Sequence, residues 1–149
     1  MLRDLIKQER CVFHEGFDRW EDALAAGVEP LVRCGAVDQA YGDKIVEAVR
    51  AYGPYIVICP DVCLPHASAK ELVHQTAVSL MICRKSVAFS GDPAERARLF
   101  FSVAAVDEDA HLENLQAIMA LVEREEVIAA LCQAKTPEDL CELTERFGI

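Results

Sequence analysis

The sequence predicts a single α/β domain, residues 1–149, in which helices cover both faces of a mixed central sheet. Helical patterns alternate along the chain with short apolar stretches, which is typical of α/β folds. Two of these stretches, 75–84 and 98–106, are apolar at both odd and even positions. Strands of that kind bury both faces, so they lie in the centre of a sheet that has helices on both sides. The chain length and the 52% of hydrophobic residues fit one such domain with a sizeable core.

The N-terminal part of the chain predicts two helices separated by a strand. Residues 2–8 fit a short helical turn and residues 11–14 fit a weak strand. A longer helix then begins with Asp18 as its N-cap, and its apolar residues recur at helical spacing. Because Pro30 lies within this pattern and lacks a backbone N–H, we expect a kink or a break near Val28.

The middle of the chain predicts a helix that leads into a strand and a rigid loop. Asp38 is the expected N-cap of this helix, and Gly53-Pro54 ends it, since glycine adopts the left-handed conformation and proline cannot continue a helix. Residues 56–59 then read as a buried strand. A proline-bounded loop follows this strand and ends on His66.

The C-terminal part predicts three more helices after the strand at 98–106. Asp107 and Asp109 open a long helix, and a short helical piece follows it. The last helix begins with Thr136 as its N-cap and Pro137 in its first turn. Four apolar residues at helical spacing are expected to form the buried stripe of the long helix: Leu112, Leu115, Met119 and Val122.

Charge and composition exclude several functions. The net charge of −10 argues against binding nucleic acid, whose phosphates would be repelled, and it suits a partner with a basic face. No apolar stretch is long enough to insert into a bilayer, and the N-terminus lacks the apolar run of a signal peptide. We therefore expect a cytoplasmic protein. Its seven cysteines, an odd number, are expected to be free and mostly buried thiols.

His66 is the first candidate for chemistry. It follows a strand through a loop, where α/β proteins place ligands and reactive groups. Pro65 fixes its own φ and so restricts the loop that presents the imidazole. A rigidly aimed imidazole is what a nucleophile requires, although a structural histidine would leave the same sequence pattern.

His111 is the second candidate, in the first turn of the helix opened by Asp107. A helix N-terminus offers free N–H groups and the positive end of the helix dipole, which suits a bound anion. A histidine there can donate a hydrogen bond to a phosphoryl oxygen, and the alternative is a surface histidine in an acidic first turn. His14 and His74 are expected to be surface or structural residues.

Other kinds of site have weaker support. Cys59, Cys63 and His66 have a loosely zinc-like spacing, but Cys59 belongs to the predicted strand and no fourth ligand is evident. The chain has no glycine-rich phosphate loop and no serine in a nucleophile elbow. We therefore expect no metal and no cofactor, and keep a zinc or thiol protein as the least favoured alternative.

The motifs around the two histidines resemble a known family. Cys63-Leu64-Pro65-His66-Ala67 and the later His111-Leu112 are similar to the two histidine motifs of IIA components of the bacterial phosphoenolpyruvate-dependent sugar phosphotransferase system, of the mannitol/fructose type. The lead-in Gly53-Pro54-Tyr55-x-x-Ile58-x-Pro60 resembles the ascorbate-type branch in particular. The resemblance extends from Leu5 to the C-terminal helix.

The resemblance implies a phosphoryl relay. A histidine phosphocarrier protein would phosphorylate His66, with Nε2 as the attacking atom, and His111 would stabilise the transferring group. His66 would pass the phosphoryl group to a IIB component for uptake of a sugar through the membrane IIC component, the sugar being of an ascorbate-, pentitol-, fructose- or mannitol-like class. No cofactor is needed, because the phosphoryl group arrives activated. Relatives of the same fold with a regulatory role leave open a phosphoacceptor that signals by binding.

Two residues depart from the family pattern. Arg50 lies at about the position of a family arginine and is a candidate phosphate contact, but Ala51 follows it where glutamate is usual. Asp61 replaces a common glycine; aspartate tolerates a left-handed backbone, and its charge could oppose a phosphoryl group or orient His66. Val62 and Leu64 are expected to be exposed on the partner-binding surface around His66.

Overall fold

The computed structural model describes all residues, Met1–Ile149, and shows five strands and six α-helices. The strands are β1 (Cys11–His14), β2 (Val57–Cys59), β3 (Asp61–Cys63), β4 (Ala77–Ala88) and β5 (Arg96–Ala104). The helices are α1 (Leu2–Lys7), α2 (Trp20–Arg33), α3 (Ala40–Tyr52), α4 (Glu108–Val122), α5 (Glu125–Gln133) and α6 (Pro137–Phe147). A short 3-10 turn, Lys70–Leu72, lies between β3 and β4. No helix is both long enough and apolar enough to cross a membrane.

The strands form one mixed sheet in the order β1-β4-β5-β3-β2. β4 and β5 are an antiparallel pair at its centre, and β1 runs parallel to β4 at one edge. On the other side β3 runs parallel to β5, and β2 pairs antiparallel with β3 as the second edge strand. The predicted mixed sheet is therefore confirmed.

Helices cover both faces of the sheet, as the sequence predicts. Alternate residues of β4 divide between two cores: Met81 packs with α2 and α3, whereas Leu80 packs with α1, α4, α5 and α6. The neighbouring Phe100 and Phe101 of β5 divide in the same way, and all four side chains are fully buried. This arrangement explains why the two central strands are apolar on both faces.

The predicted glycine at the C-terminal end of α3 is confirmed, whereas two aspartates predicted as N-caps do not cap their helices. Gly53 ends α3 with a φ of 83°, as predicted. The prediction of Asp18 as N-cap is wrong: α2 begins after Arg19, and no side chain caps it. Asp38 does not cap α3 either, because its carboxylate accepts a hydrogen bond from His74 Nε2 at 2.7 Å instead. α2 runs without a break through Pro30, which is buried.

The segment before His66 differs most from the prediction. The strand at Val57–Cys59 is an edge strand, with Ile58 38% exposed, so it is not the buried strand expected there. The buried strand is β3, which lies in the stretch predicted to be a loop. Asp61 begins β3 with a φ of 69°, the left-handed conformation that aspartate tolerates, and this turns the chain back beside β2.

The inward face of α4 is rotated from the predicted stripe. Its buried residues are Ile118, Leu121 and Val122, so only Val122 of the four expected residues is buried. Leu112 and Met119 are exposed, at 54% and 46%. The last helix matches its prediction, since Thr136 and Asp139 form a reciprocal capping box and Pro137 lies in the first turn.

Candidate functional site

The parallel pairing of β3 with β5 places His66 and His111 at the same edge of the sheet. β3 ends at Cys63 and β5 ends at Ala104, and Cys63 is in register with Phe100. The carboxyl ends of parallel strands lie at one edge, so the loop after β3 and the helix after β5 meet there. The ring centroids of His66 and His111 are 5.5 Å apart. The structure therefore brings together the two histidines that the sequence singled out.

The imidazole of His66 is held through one nitrogen only. Nδ1 forms a hydrogen bond with the backbone carbonyl of Leu64. Because a carbonyl oxygen can only accept, Nδ1 must carry the proton, and the neutral ring then has an unprotonated Nε2. The His66 side chain is half-buried, so this nitrogen keeps a lone pair that can act as a nucleophile.

The backbone on both sides of His66 is fixed by hydrogen bonds to the sheet and to α3. The Pro65 carbonyl accepts from the Val103 N–H at 2.9 Å. The buried hydroxyl of Tyr41 donates to the Val103 carbonyl at 2.8 Å and accepts from the Ala67 N–H at 3.2 Å. Pro65 is itself buried. These contacts tie the loop to a central strand, as the predicted loop-shaping role of Pro65 requires.

His111 lies in the first turn of α4, as predicted. Asp107 is the N-cap, and its carboxylate accepts from the Ala110 N–H at 2.8 Å. Partial burial lowers the pKa of His111, and the proximity of His66 lowers it further. His111 is therefore biased toward the neutral form, in which one ring nitrogen donates a hydrogen bond and the other accepts one.

The two histidines line an open cavity of about 490 Å³, which we call the histidine cavity. Its other lining residues are Tyr41, Ala67, Ser68, Ala69, Lys70, Glu71, Val73, Val103, Ala105, Asp107 and Glu108. Lys70 is the only lysine or arginine among them, beside three acidic residues. Lys70 and the N-terminus of α4 are therefore the positive features, apart from the histidines, that an anion in this cavity would meet.

Arg50 and Asp61 do not line the histidine cavity. The Arg50 guanidinium forms an ion pair with Glu21 at 3.2 Å and lies 5.9 Å from the centre of the Trp20 ring. Asp61 is at the opposite end of β3 from His66 and lines a different cavity. It does not orient the His66 ring, because the Leu64 carbonyl does so.

The residues of the zinc alternative are not arranged as a metal site. Cys63 is fully buried in the core under α2 and α3, whereas Cys59 packs against the core on the other face. Burial raises the pKa of Cys63 well above its ordinary value, so its thiol is protonated. No group of three His, Cys, Asp or Glu side chains is placed to hold a metal ion. All seven cysteines are free, as expected. The expectation that most of them are buried is wrong: Cys63, Cys83 and Cys132 are buried, Cys11 and Cys59 are partly buried, and Cys34 and Cys141 are exposed.

Residues 4–146 match the family described as "Phosphoenolpyruvate-dependent sugar phosphotransferase system, EIIA 2". The chain belongs to this family. The predicted fold class and family are thus confirmed, together with the predicted activity of a phosphotransferase IIA component.

Individual relatives agree with this assignment. The ascorbate-specific PTS system EIIA component of Escherichia coli K12 is 30% identical over 97% of this chain and 96% of its own length. The solution structure of the mannitol-specific cryptic phosphotransferase enzyme IIA CmtB from Escherichia coli has a TM-score of 0.84, with 25% identity over 97% of this chain and 98% of that one. The complex of Escherichia coli IIA mannitol with phosphorylated IIB mannitol shares the fold, with a TM-score of 0.79 at 21% identity over 93% and 95% of the two chains.

Sequence reasoning missed three residues around His66. Tyr41 is buried in the core between α3 and the sheet, and the contact of its hydroxyl with the loop has no sequence signal. Lys70 follows His66 by four residues, and this proximity in sequence was the available signal. Tyr55 was noted only as part of the lead-in motif, although it contacts His66 directly.

Proposed function

We propose that this IIA component accepts a phosphoryl group on Nε2 of His66 from a histidine phosphocarrier protein and passes it to a IIB component. The observation that carries the proposal is the Nδ1 hydrogen bond to the Leu64 carbonyl, which leaves Nε2 as the free nucleophile. A bond forms between Nε2 and phosphorus as the donor's nitrogen–phosphorus bond breaks. The ring gains positive charge as this happens, and the Leu64 carbonyl stabilises it by accepting from Nδ1–H.

His111 is proposed to stabilise the transferring phosphoryl oxygens. It lines the same cavity as His66, and a neutral imidazole can donate one N–H to an oxyanion. Lys70 supplies positive charge in the same cavity. A phosphate contact by Arg50 stays a prediction, and it would require the guanidinium to leave Glu21.

The partner-binding surface is proposed to surround the histidine cavity, but not with the residues first expected. Val62 and Leu64 are buried, at 0% and 4% exposure, so the prediction that they face a partner is wrong. Val106 and Leu112 are exposed apolar residues adjacent in sequence to the cavity-lining Asp107 and His111. Transient interfaces use small patches of this kind, which release readily.

The ascorbate-type relative supports an ascorbate-like sugar as the transported substrate. The complex of the mannitol enzymes supports IIB as the acceptor. The membrane IIC component would then be served indirectly, and this chain would act in the cytoplasm without entering the bilayer.

The test supplies phosphoenolpyruvate, enzyme I and the phosphocarrier protein and follows intact mass. The wild-type chain should gain one acid-labile phosphoryl group, His66→Ala should gain none, and His74→Ala, altered outside the cavity, should behave as wild type. Phosphorylation of the His66→Ala protein on another histidine would contradict the assignment. Addition of an ascorbate-type IIB should discharge the group, whereas a regulatory role, the alternative left open by the sequence, would leave it in place.

A further inference from the structure

Tyr55 contacts His66 at both its backbone and its ring. The Tyr55 hydroxyl donates to the His66 backbone carbonyl at 2.7 Å. The two rings meet edge to face, with centroids 5.4 Å apart and an interplanar angle of 86°. One side chain therefore restrains both the peptide that follows His66 and the rotation of the imidazole itself.

The end of α3 determines where Tyr55 lies. Gly53 leaves the helix with a φ of 83°, and the Tyr55 N–H then donates to the Gly53 carbonyl at 2.8 Å. The next residue, Ile56, is fully buried, and its carbonyl accepts from the Leu64 N–H at 2.8 Å. The segment carrying Tyr55 is thus fixed to a core residue and to the residue whose carbonyl holds the His66 ring.

The Leu64 hydrogen bond alone does not fix the imidazole. It fixes the protonated nitrogen, but the ring can still rotate about the N–H···O direction and carry Nε2 away from an incoming phosphorus atom. The Tyr55 ring packed against the imidazole restricts that rotation, and the hydrogen bond to the His66 carbonyl restricts the backbone from which the imidazole projects. Burial raises the pKa of Tyr55, so the phenol remains a donor across the neutral range.

We propose that Tyr55 is a positioning residue for phosphoryl transfer, holding the His66 imidazole in the orientation and tautomer that present Nε2. The proposal rests on the proposed function of His66 as the phosphoryl acceptor. It assigns no contact between Tyr55 and the phosphoryl group, so its effect is on the rate at which an aligned complex reacts.

The test is Tyr55→Phe, which keeps the ring and removes the hydroxyl. Tyr52→Phe is the matched control, because Tyr52 is 82% exposed, close in sequence and makes no side-chain hydrogen bond. Single-turnover phosphorylation by the phosphorylated carrier protein is measured against carrier concentration. Nitrogen NMR of the imidazole gives the tautomer population. Urea unfolding checks that both variants are folded.

We expect Tyr55→Phe to lower the maximal rate about tenfold, with little change in the carrier concentration that gives half-maximal rate. The Nε2–H tautomer should become detectable in this variant and not in Tyr52→Phe. A maximal rate equal to wild type, an unchanged tautomer population, or an equal loss in Tyr52→Phe would each overturn the proposal.

The His66→Ala experiment keeps this proposal separate from the one on which it rests. If His66→Ala abolishes phosphorylation and Tyr55→Phe transfers at the wild-type rate, only the role of Tyr55 fails. If His66→Ala is still phosphorylated on a histidine, the acceptor assignment fails, and the role of Tyr55 fails with it.

Discussion

Two cavities of similar size lie at opposite ends of β3, and they use their polar groups in opposite ways. The histidine cavity, about 490 Å³, lies where the chain leaves β3 toward His66. The other, about 520 Å³, lies where the chain enters β3 and is lined by Asp61, Arg98, Cys59 and Cys132 among others. We call it the arginine cavity.

Arg98, the basic residue of the arginine cavity, is engaged in holding the fold together. Arg98 donates from Nε to the Cys83 carbonyl at 3.2 Å and from Nη2 to the Cys132 carbonyl at 2.8 Å. Burial raises the pKa of Cys132 to about 11, so its thiol is protonated near neutral pH and is a poor nucleophile.

The histidine cavity combines an oriented group with a free lone pair. His66 is held through Nδ1, and the chemistry is left to Nε2. The comparison shows that charged and sulfur-containing residues in a cavity do not by themselves make a nucleophile. The nucleophilic atom must be free of the hydrogen bonds that hold its side chain, as Nε2 of His66 is.

The largest effect expected from the histidine cavity, after loss of His66 itself, is from His111→Ala. Removal of one donor to the transferring phosphoryl oxygens should slow phosphorylation about 10- to 100-fold, with the fold retained because His111 is not part of the core. Quench-flow measurement with the phosphorylated carrier protein gives the rate. Wild-type rates both to and from His66 would remove His111 from the site.

The arginine cavity should show the reverse behaviour. Arg98→Met leaves two half-buried carbonyls without their donors and should lower the free energy of unfolding by about 2 kcal/mol, with transfer by the folded protein unchanged. Urea denaturation measures the loss. Arg96→Met is the control, because Arg96 bonds to Ser86 at an exposed site and should cost about 0.5 kcal/mol or less. Slower transfer in folded Arg98→Met protein would break the distinction between the cavities.

The smallest expected effect is a pH dependence from His111. Its pKa is lowered in the folded protein, so the folded state binds fewer protons than the unfolded state just below the ordinary histidine value of about 6.5. The free energy of unfolding should therefore decrease as the pH falls from about 6.5 toward the lowered pKa of His111. Asp107, Glu108, Glu71 and Lys70 also line the cavity, but burial and the neighbouring His66 are the causes of the lowered pKa of His111. An NMR titration midpoint for His111 above 6.5 would contradict this.

The sequence predicts most of the fold because the central strands and the glycine stops are governed by local signals. β4 and β5 are apolar on both faces, and Gly53 has a left-handed φ. The N-caps were less predictable, because the carboxylate of an aspartate before a helix can bond to a side chain from another part of the chain instead of to the helix N–H groups. Asp38 bonds to His74, a residue far along the chain whose position only the folded sheet determines.

The face of α4 was misjudged for a different reason. Apolar residues occur on more than one side of this helix, so a stripe starting at Leu112 and one containing Ile118 both have helical spacing. The N-terminal part of α4 borders the histidine cavity, and only its C-terminal part packs in the core. Helical spacing of apolar residues therefore does not predict burial in the first turns of α4, because these turns border the histidine cavity and not the core.

The sequence predicts the two histidines of the site but not the contacts that orient His66. Motifs indicated His66 and His111, and the parallel pairing of β3 with β5 explains why they meet. The contacts that orient His66 come from the Leu64 carbonyl and from Tyr55 and Tyr41. Backbone acceptors and distant hydroxyls leave no residue pattern in the sequence, so this part required the structure.

The most direct test of the account is to identify the phosphorylated atom. Nitrogen and phosphorus NMR of the phosphorylated wild-type chain should show phosphorus bonded to Nε2 of His66, with Nδ1 protonated and still hydrogen-bonded to the Leu64 carbonyl. Phosphorus bonded to Nδ1 would require that hydrogen bond to break. That result, or phosphorylation of any other residue, would contradict the claim that the supporting contact selects the reactive atom.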